Sequence, residues 1–252
     1  MSVRVVFIGD VHGSTNWKVP VADALSKGFN VVFLGDYLDS FNVKPYEIFE
    51  NLKDIIEYKK KYPTRITLLL GNHDYAYMHG QTGISGFNGL MWVDYREVLS
   101  KNWDLFDLAW GYQGKNKYTL ATHAGLCKWY YDSLVNDMGK KNSVMHQLLV
   151  TNATKPWTEY PIHELLNFFK DQASLVWTVG RPRGGISPYG GLLWADKSEL
   201  LSNAYPGIDQ VVGHTPCKYI EMRIKGNNKL YFVDIDAYEK NEYAGSLMLE
   251  LE

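Results

Sequence analysis

Short apolar runs alternate with amphipathic stretches over the first seventy residues of the chain. Val3–Ile8, Asn30–Leu34 and Ile66–Leu70 are apolar runs of the length typical of buried strands. Pro45–Lys61 carries apolar residues at helical spacing, and its opening proline suits the first turn of a helix. A further helix is predicted at Val19–Lys27. This alternation predicts a parallel sheet with right-handed crossovers between its strands.

The rest of the chain divides into helical and strand-forming segments. Residues 75–115 are interpreted as loop and helix, and residues 126–175 as mostly helix. Further strands are predicted at Lys117–Thr122, Ile208–Val212, Tyr219–Ile224, Lys229–Val233 and Ser246–Leu251. The turn residues 226–228 indicate a hairpin, so we expect the C-terminal part to be mostly antiparallel. We predict one domain over residues 1–252, with a mostly helical insertion at about 126–175 that selects the substrate.

The composition of the chain excludes several classes of function. The 252 residues are 46% apolar and carry a net charge of −2, so no bulk positive field attracts nucleic acid, which is expected only as a substrate. No apolar stretch approaches the length of a membrane span, so no membrane partner is expected. Two cysteines, Cys127 and Cys217, do not form a disulfide framework. We expect both to be reduced in a cytoplasmic protein.

Polar motifs follow the apolar runs. In chain order they are Gly9-Asp10-Val11-His12-Gly13, Gly35-Asp36-Tyr37-Leu38-Asp39, Gly71-Asn72-His73-Asp74, His123-Ala124-Gly125 and Gly213-His214-Thr215. Singly, each has an ordinary explanation: the aspartates could be helix caps, Asn72 a turn residue and the histidines structural. Ligands of open α/β sheets lie beyond the carboxyl ends of the strands, so the three early motifs should share one rim. Their joint occurrence therefore predicts a site.

The residue types of the motifs suit divalent metals. Carboxylates, imidazoles and an amide oxygen are ligands for such ions, and one carboxylate can bridge a pair. Asp10 and His12 alternate along an extended segment and can therefore face the same ion. Two neighbouring ions can clamp a phosphoryl group and activate water. The motifs thus predict a two-metal site for phosphoryl chemistry.

The five motifs in this order resemble those of the calcineurin-like metallophosphoesterase superfamily. The match is closest to the branch that contains protein Ser/Thr phosphatases, bacteriophage phosphatases and diadenosine tetraphosphate hydrolases. The resemblance implies an α/β fold of two facing mixed β-sheets flanked by helices, a four-layer sandwich with the metals between the sheets. It also implies two divalent metal ions as cofactors, with Mn most expected and Fe, Zn or Ni as alternatives.

The resemblance also implies roles for individual residues. Asp10, His12 and Asp36 would hold the first metal, and Asp36 would bridge to the second, which adds Asn72, His123 and His214. His73 is then the expected general acid, and Asp39 is expected to orient it. The role of Asp74 is left open between a helix cap and a partner of the ligands.

Two positions depart from the pattern of the superfamily. Protein phosphatases continue the second motif with an arginine that grips the substrate phosphate, whereas here Ser40 and Phe41 follow Asp39. Arg181 and Arg183 are the candidates to replace it as catalytic and substrate-binding residues, although an ordinary basic surface loop explains them equally well. Pro216 stands where many members have a second histidine, which predicts a more open first metal site.

The predicted function is hydrolysis of phosphate esters, in which water activated by the metals attacks phosphorus. A Ser/Thr-phosphatase-like or broad phosphomonoesterase and phosphodiesterase activity is favoured, with a phosphoprotein, nucleotide or small phosphate ester as substrate. The alternatives are hydrolysis of a dinucleoside polyphosphate and, from another class, a metal-free binding scaffold. Trp177, the segment 190–196, Asp234 and Asp236 are interpreted as structural.

Overall fold

The computed structural model describes residues 2–140, 143–235 and 245–252. Its strands are β1 (Val3–Ile8), β2 (Asn30–Phe33), β3 (Ile66–Leu69), β4 (Phe106–Asp107), β5 (Ala109–Gln113), β6 (Tyr118–Thr122), β7 (Ile208–Val212), β8 (Glu221–Lys225), β9 (Asn228–Phe232) and β10 (Ser246–Leu251). Its helices are α1 (Lys18–Ser26), α2 (Pro45–Lys61), α3 (Asn72–His79), α4 (Trp92–Lys101), α5 (Lys128–Met138), α6 (Val144–Asn152), α7 (Ile162–Asn167), α8 (Ala173–Val176) and α9 (Lys197–Asn203). Within these ranges, every helix is too short or too polar to cross a membrane.

The strands form two mixed sheets of five strands each. The first has the order β10-β1-β2-β3-β4, in which β1 to β4 pair in parallel and β10 pairs antiparallel to β1. The second has the order β5-β6-β7-β9-β8, in which the pairs β6–β7 and β7–β9 are parallel and both outer pairs are antiparallel. Helical crossovers between β1, β2 and β3 account for the parallel pairing of the first sheet.

The two sheets pack face to face. Val5 and Phe7 of β1 belong to one buried cluster with Val211 of β7, and the Phe7 ring lies 5.6 Å from that of Trp110 of β5. Val6 and its neighbours on the opposite face of β1 belong to the larger core that includes the helices. Both faces of β1 are thus buried, as expected for a continuous apolar run. The predicted fold class, two mixed sheets flanked by helices, is confirmed.

The structure differs from the expectations about strands at two places. The segment 75–115, interpreted as loop and helix, contains β4 and β5 as well as α3 and α4. Neither strand has an apolar run: β4 has two residues, and Gly111 interrupts β5 where an added Cβ would lie 2.0 Å from the Tyr118 hydroxyl oxygen. In the C-terminal part, β8–β9 and β1–β10 pair antiparallel as expected, whereas β7 pairs in parallel on both sides.

The helices α5 to α8 occupy the segment 126–175 and its end, where a helical insertion is predicted. The single domain and the insertion stay predictions. The structure does show where the motifs lie. The motif segments follow the carboxyl ends of β1, β2, β3, β6 and β7. Since these strands come from both sheets, the motif residues are carried to one rim of the sandwich.

Candidate metal centre

One cavity of about 500 Å³ lies at this rim. Residues from four of the motifs line it: Asp10, His12, Asp36, Asp39, Asn72, His73 and His214. His123 of the fourth motif is fully buried, and its Nε2 atom lies 2.9 Å from Asn72 Oδ1. All five motifs therefore contribute to one site, although they span more than two hundred positions of the chain.

Four potential ligand atoms converge around His123. Its Nδ1 lies 2.8 Å from the carbonyl oxygen of Leu34, which fixes the proton on Nδ1 and leaves a lone pair on Nε2. That Nε2 lies 2.9 Å from Asn72 Oδ1, 3.1 Å from His214 Nδ1 and 3.4 Å from Asp36 Oδ2. Crowded acceptors repel one another unless a cation lies between them, so the set fits a metal ion.

A second group forms on the other side of Asp36. His12 Nδ1 lies 3.0 Å and 2.9 Å from the carbonyl oxygens of Leu38 and Asp39, so its Nε2 carries the lone pair. This Nε2 lies 3.7 Å from Asp36 Oδ2. Asp36 Oδ1 instead accepts the backbone N–H of His73 at 2.9 Å. One carboxylate oxygen is thus directed at imidazoles of both groups, the placement expected of a bridging ligand.

Asp10 completes the polar floor of the cavity. Its two carboxylate oxygens accept the backbone N–H of His214 at 3.0 Å and 3.1 Å. The approach requires glycine, because a Cβ added to Gly213 would lie 2.1 Å from Asp10 Oδ1. The same holds for Gly71, where a Cβ would lie 2.0 Å from Asp36 Oδ1. The motif glycines therefore let the carboxylates reach the site.

The backbone of the site is strained. Among the described residues, the non-glycine residues with positive φ are His12, Asp36, Asp39 and His214, with φ between 42° and 66°. Such conformations cost free energy in L-residues and persist only where the surroundings enforce them. All four belong to the motifs and line the cavity. The fold thus holds these side chains in directions that an ordinary turn would not give them.

The carboxylates of the cavity are buried close together and repel one another. Burial, and then the charges of Asp234 and Asp36, hold the pKa of Asp10 well above its usual range. Burial also raises the pKa of Asp36, but the imidazoles of His123, His73 and His12 outweigh it and the pKa is lowered. Burial and the charge of Asp36 raise the pKa of Asp74 to about 7. Divalent cations would relieve this repulsion between buried carboxylates.

His73 is held by a chain of hydrogen bonds. Its Nδ1 lies 2.8 Å from Asp39 Oδ2, and Asp39 Oδ1 accepts the Tyr77 hydroxyl at 2.5 Å. Tyr77 in turn accepts the backbone N–H of Asn88 at 2.6 Å. Burial lowers the pKa of His73, but the charge of Asp36 and the hydrogen bond to Asp39 outweigh it and raise the pKa to about 9. The imidazole is therefore fixed in orientation, and Asp36 and Asp39 favour its protonated form.

The two candidate arginines differ in position. Arg183 lines the cavity, where its Nη2 donates to Thr215 Oγ1 at 2.8 Å and its Nε lies 3.0 Å from Asp196 Oδ2. These partners fix the planar guanidinium and leave its other donors available. Arg181 is exposed and is not among the residues that line the cavity. The structure thus brings one of the two arginines to the site.

Other residues at the site were missed or underrated from the sequence. No motif in the sequence indicated Tyr77, because its hydrogen bond to Asp39 joins residues that are 38 positions apart. Asp234 and Trp194, interpreted as structural, line the cavity. Asp74 accepts the backbone N–H groups of Gly71 and Tyr37, both at 2.9 Å, and so clamps two motif loops together. Asp236 lies outside the described residues.

Parts of this chain are similar in sequence to phosphatases of other organisms. A protein of Schizosaccharomyces pombe whose name describes it as a serine/threonine-protein phosphatase is 34% identical to this chain over 103 residues. The match covers 40% of this chain and 29% of that protein. The serine/threonine-protein phosphatase 6 catalytic subunit of Drosophila melanogaster is 32% identical to this chain over 83 residues. The match covers 29% of this chain and 24% of that protein. The matches thus span less than a third of either relative's length.

A similar fold is found in a solved structure of a cold-active protein tyrosine phosphatase. It has a TM-score of 0.50 and 15% identity, and the match covers 98% of this chain and 73% of that one. The family model described as calcineurin-like phosphoesterase matches residues 3–221, which include all five motifs. This chain therefore belongs to the calcineurin-like phosphoesterase family.

Proposed function

We propose that this protein hydrolyses phosphate esters at a pair of divalent cations. The observation that carries the proposal is the position of Asp36 Oδ2, 3.7 Å from His12 Nε2 and 3.4 Å from His123 Nε2. Membership of the family supports it. The ligands would be Asp10, His12, Asp36, Asn72, His123 and His214. When bound, the cations would supply charge neutralisation at the phosphate oxygens and activation of water.

The protein's own residues would orient the ester and supply the proton. Arg183, pinned by Asp196 and Thr215, presents its remaining donors to the phosphate oxygens. His73, held by Asp39, donates a proton to the leaving oxygen as the bond to phosphorus breaks. An ester and water thus give an alcohol and inorganic phosphate. No side chain needs to form a covalent intermediate, because water supplies the attacking oxygen.

We propose phosphate monoesters as the main substrates, with Mn²⁺ as the preferred metal. The names of the two relatives, both serine/threonine-protein phosphatases, support this substrate class. A dinucleoside polyphosphate remains the second candidate. Against it, Arg183 is the single Lys or Arg side chain among the described residues that line the cavity, and a polyphosphate chain would need more positive charge.

Metal removal tests the proposed function. Protein stripped by a chelator is expected to lose hydrolysis of 4-nitrophenyl phosphate by at least about 10³-fold, because the cations supply several kcal/mol of charge stabilisation. Reconstitution with Mn²⁺, Fe²⁺, Zn²⁺ or Ni²⁺ should restore it, and bound metal is counted by elemental analysis. A phosphopeptide, diadenosine tetraphosphate and a bis-aryl phosphate complete the substrate panel. Protein that retains no Mn²⁺ and cleaves no substrate would instead be a binding scaffold.

The two arginines provide a matched pair of variants. Arg183→Ala is expected to lower kcat/KM by about 10- to 100-fold, since a charge-assisted hydrogen bond contributes about 1.5–3 kcal/mol. Arg181→Ala, outside the cavity lining, should stay within about twofold of wild type. Inorganic phosphate as a competitive inhibitor should bind more weakly to the first variant only. A larger loss in Arg181→Ala than in Arg183→Ala would reverse this assignment.

We also propose a cytoplasmic location. Both cysteines, Cys127 and Cys217, are free and buried, which suits a reducing compartment. Cell fractionation with an antibody against the protein tests this, and recovery from a secreted or membrane fraction would contradict it.

A further inference from the structure

Phe41 is an exposed aromatic residue at the mouth of the cavity. It lines the cavity, yet 81% of it is exposed to solvent. Its ring lies near Gly86, where an added Cβ would be 3.6 Å from the ring atom Cζ. A phenylalanine this exposed contributes little to the core, so its apolar surface is available to a ligand.

Phe41 shares the cavity with His73, the residue proposed to protonate the leaving group. The same added Cβ would lie 3.5 Å from Asp39 Cβ, so the Phe41 ring and the Asp39 side chain both lie near Gly86. Asp39 holds His73, which in the proposed reaction donates the proton to the leaving oxygen. Phe41 and His73 line the same cavity, so the group attached to that oxygen can reach the Phe41 ring.

Part of the cavity lining is uncharged. It includes Ser40, Phe41 and the segment 83–85, which contains Ile84 between a glycine and a serine. Ile84 is 8% exposed and belongs to the main core, so it forms a fixed apolar wall beside the mobile substrate. An anionic leaving group such as a nucleoside polyphosphate finds no cation here, whereas an aromatic ring finds an aromatic partner.

We propose that Phe41 and Ile84 form a leaving-group subsite that selects phosphate monoesters of aromatic alcohols, phosphotyrosyl groups among them. This inference rests on the proposed function and names its substrate class. In the reaction, the P–O bond to the phenol breaks, water supplies the new oxygen on phosphorus, and the phenolate takes the proton of His73. His73 regains a proton from solvent, so atoms and charge balance without a further reactant.

Two peptides of identical sequence, one with phosphotyrosine and one with phosphoserine, test the subsite in the metal-loaded protein. Phe41→Ala is expected to lower kcat/KM for the phosphotyrosyl peptide by about three- to tenfold, the effect of one aromatic contact. The loss on the phosphoseryl peptide should stay below about twofold, because a serine side chain offers no ring. Phe41→Trp should retain the preference, since a larger ring supplies the same contact.

Leu90→Ala is the matched control. Leu90 is 95% exposed but does not line the cavity, so both peptides should be cleaved as by wild type. Equal losses on the two peptides in Phe41→Ala, or no loss on either, would overturn the subsite. A wild-type protein that prefers the phosphoseryl peptide would overturn it as well.

A binding measurement separates this inference from the proposed function. Calorimetry on Mn²⁺-loaded protein compares phenylphosphonate with methylphosphonate, neither of which is cleaved. Wild type should bind the phenyl compound about three- to tenfold more tightly, and Phe41→Ala should remove that difference. If wild type cleaves no ester, the proposed function fails, and the phosphonate pair still decides whether Phe41 binds aromatic groups. Equal affinity of wild type for both compounds would overturn the subsite.

Discussion

Asp36→Asn is expected to leave the protein folded but unable to hold its metals. The substitution keeps the shape of the side chain, and asparagine tolerates the positive φ of 51° at this position as well as aspartate does. The amide still accepts the backbone N–H of His73 through one oxygen. What is lost is the negative charge shared by the His12 and His123 groups. Bound metal should fall from two ions to fewer than one per chain, and hydrolysis by at least about 10³-fold.

Asp107→Asn is the control for the loss of Asp36. It makes the same chemical change at a partly buried carboxylate at the end of β4, which does not line the cavity. Its metal content and activity should match those of wild type, and circular dichroism should show all three proteins folded. Full metal content in Asp36→Asn would contradict the bridging role.

His73→Ala is expected to slow turnover in a way that depends on the leaving group. For an ester of a poorly acidic alcohol, the loss should be about 10²–10⁴-fold, the usual contribution of a positioned general acid. For 4-nitrophenyl phosphate the loss should be smaller, because nitrophenolate leaves without a proton. A plot of log kcat against the pKa of the leaving alcohol should therefore become steeper in the variant.

His79→Ala removes an imidazole from the other end of the same helix, α3, without touching the cavity lining. It should keep the wild-type dependence on the leaving group, even if the loss of its packing on Tyr75 lowers the melting temperature. Equal losses of His73→Ala on good and poor leaving groups would argue that the imidazole serves the metals or the phosphate rather than the leaving oxygen.

The sequence predicted the strands and helices whose pattern of apolar residues matches the way they are buried in the fold. The bounds of β1 and α2 agree with the structure, because one is a continuous apolar run and the other has a proline start and helical spacing. The convergence of Asp10, Asp36 and Asn72 also followed from the sequence, because their motifs follow parallel strands of one sheet, whose carboxyl ends lie at one edge. His214 follows β7 of the other sheet, and its place at the site was implied by the resemblance alone.

The rest depends on contacts that no local pattern encodes. The strand β5 forms because β6 is beside it, and its own residues include a glycine that only the neighbouring Tyr118 explains. Tyr77, in α3, and Phe41, between β2 and α2, reach the site through contacts with residues far away in the sequence, and their residue types are common at core and surface positions. The difference between Arg181 and Arg183 likewise rests on which side of one short turn faces the cavity.

The left-handed backbone at His12, Asp36, Asp39 and His214 has an evolutionary consequence. At each of these positions glycine would relax the chain, so selection for stability alone would steadily erase the aspartates and histidines. A lineage that no longer used the chemistry would drift in that direction. Aspartate and histidine at these four positions therefore lower the stability of the folded chain relative to glycine.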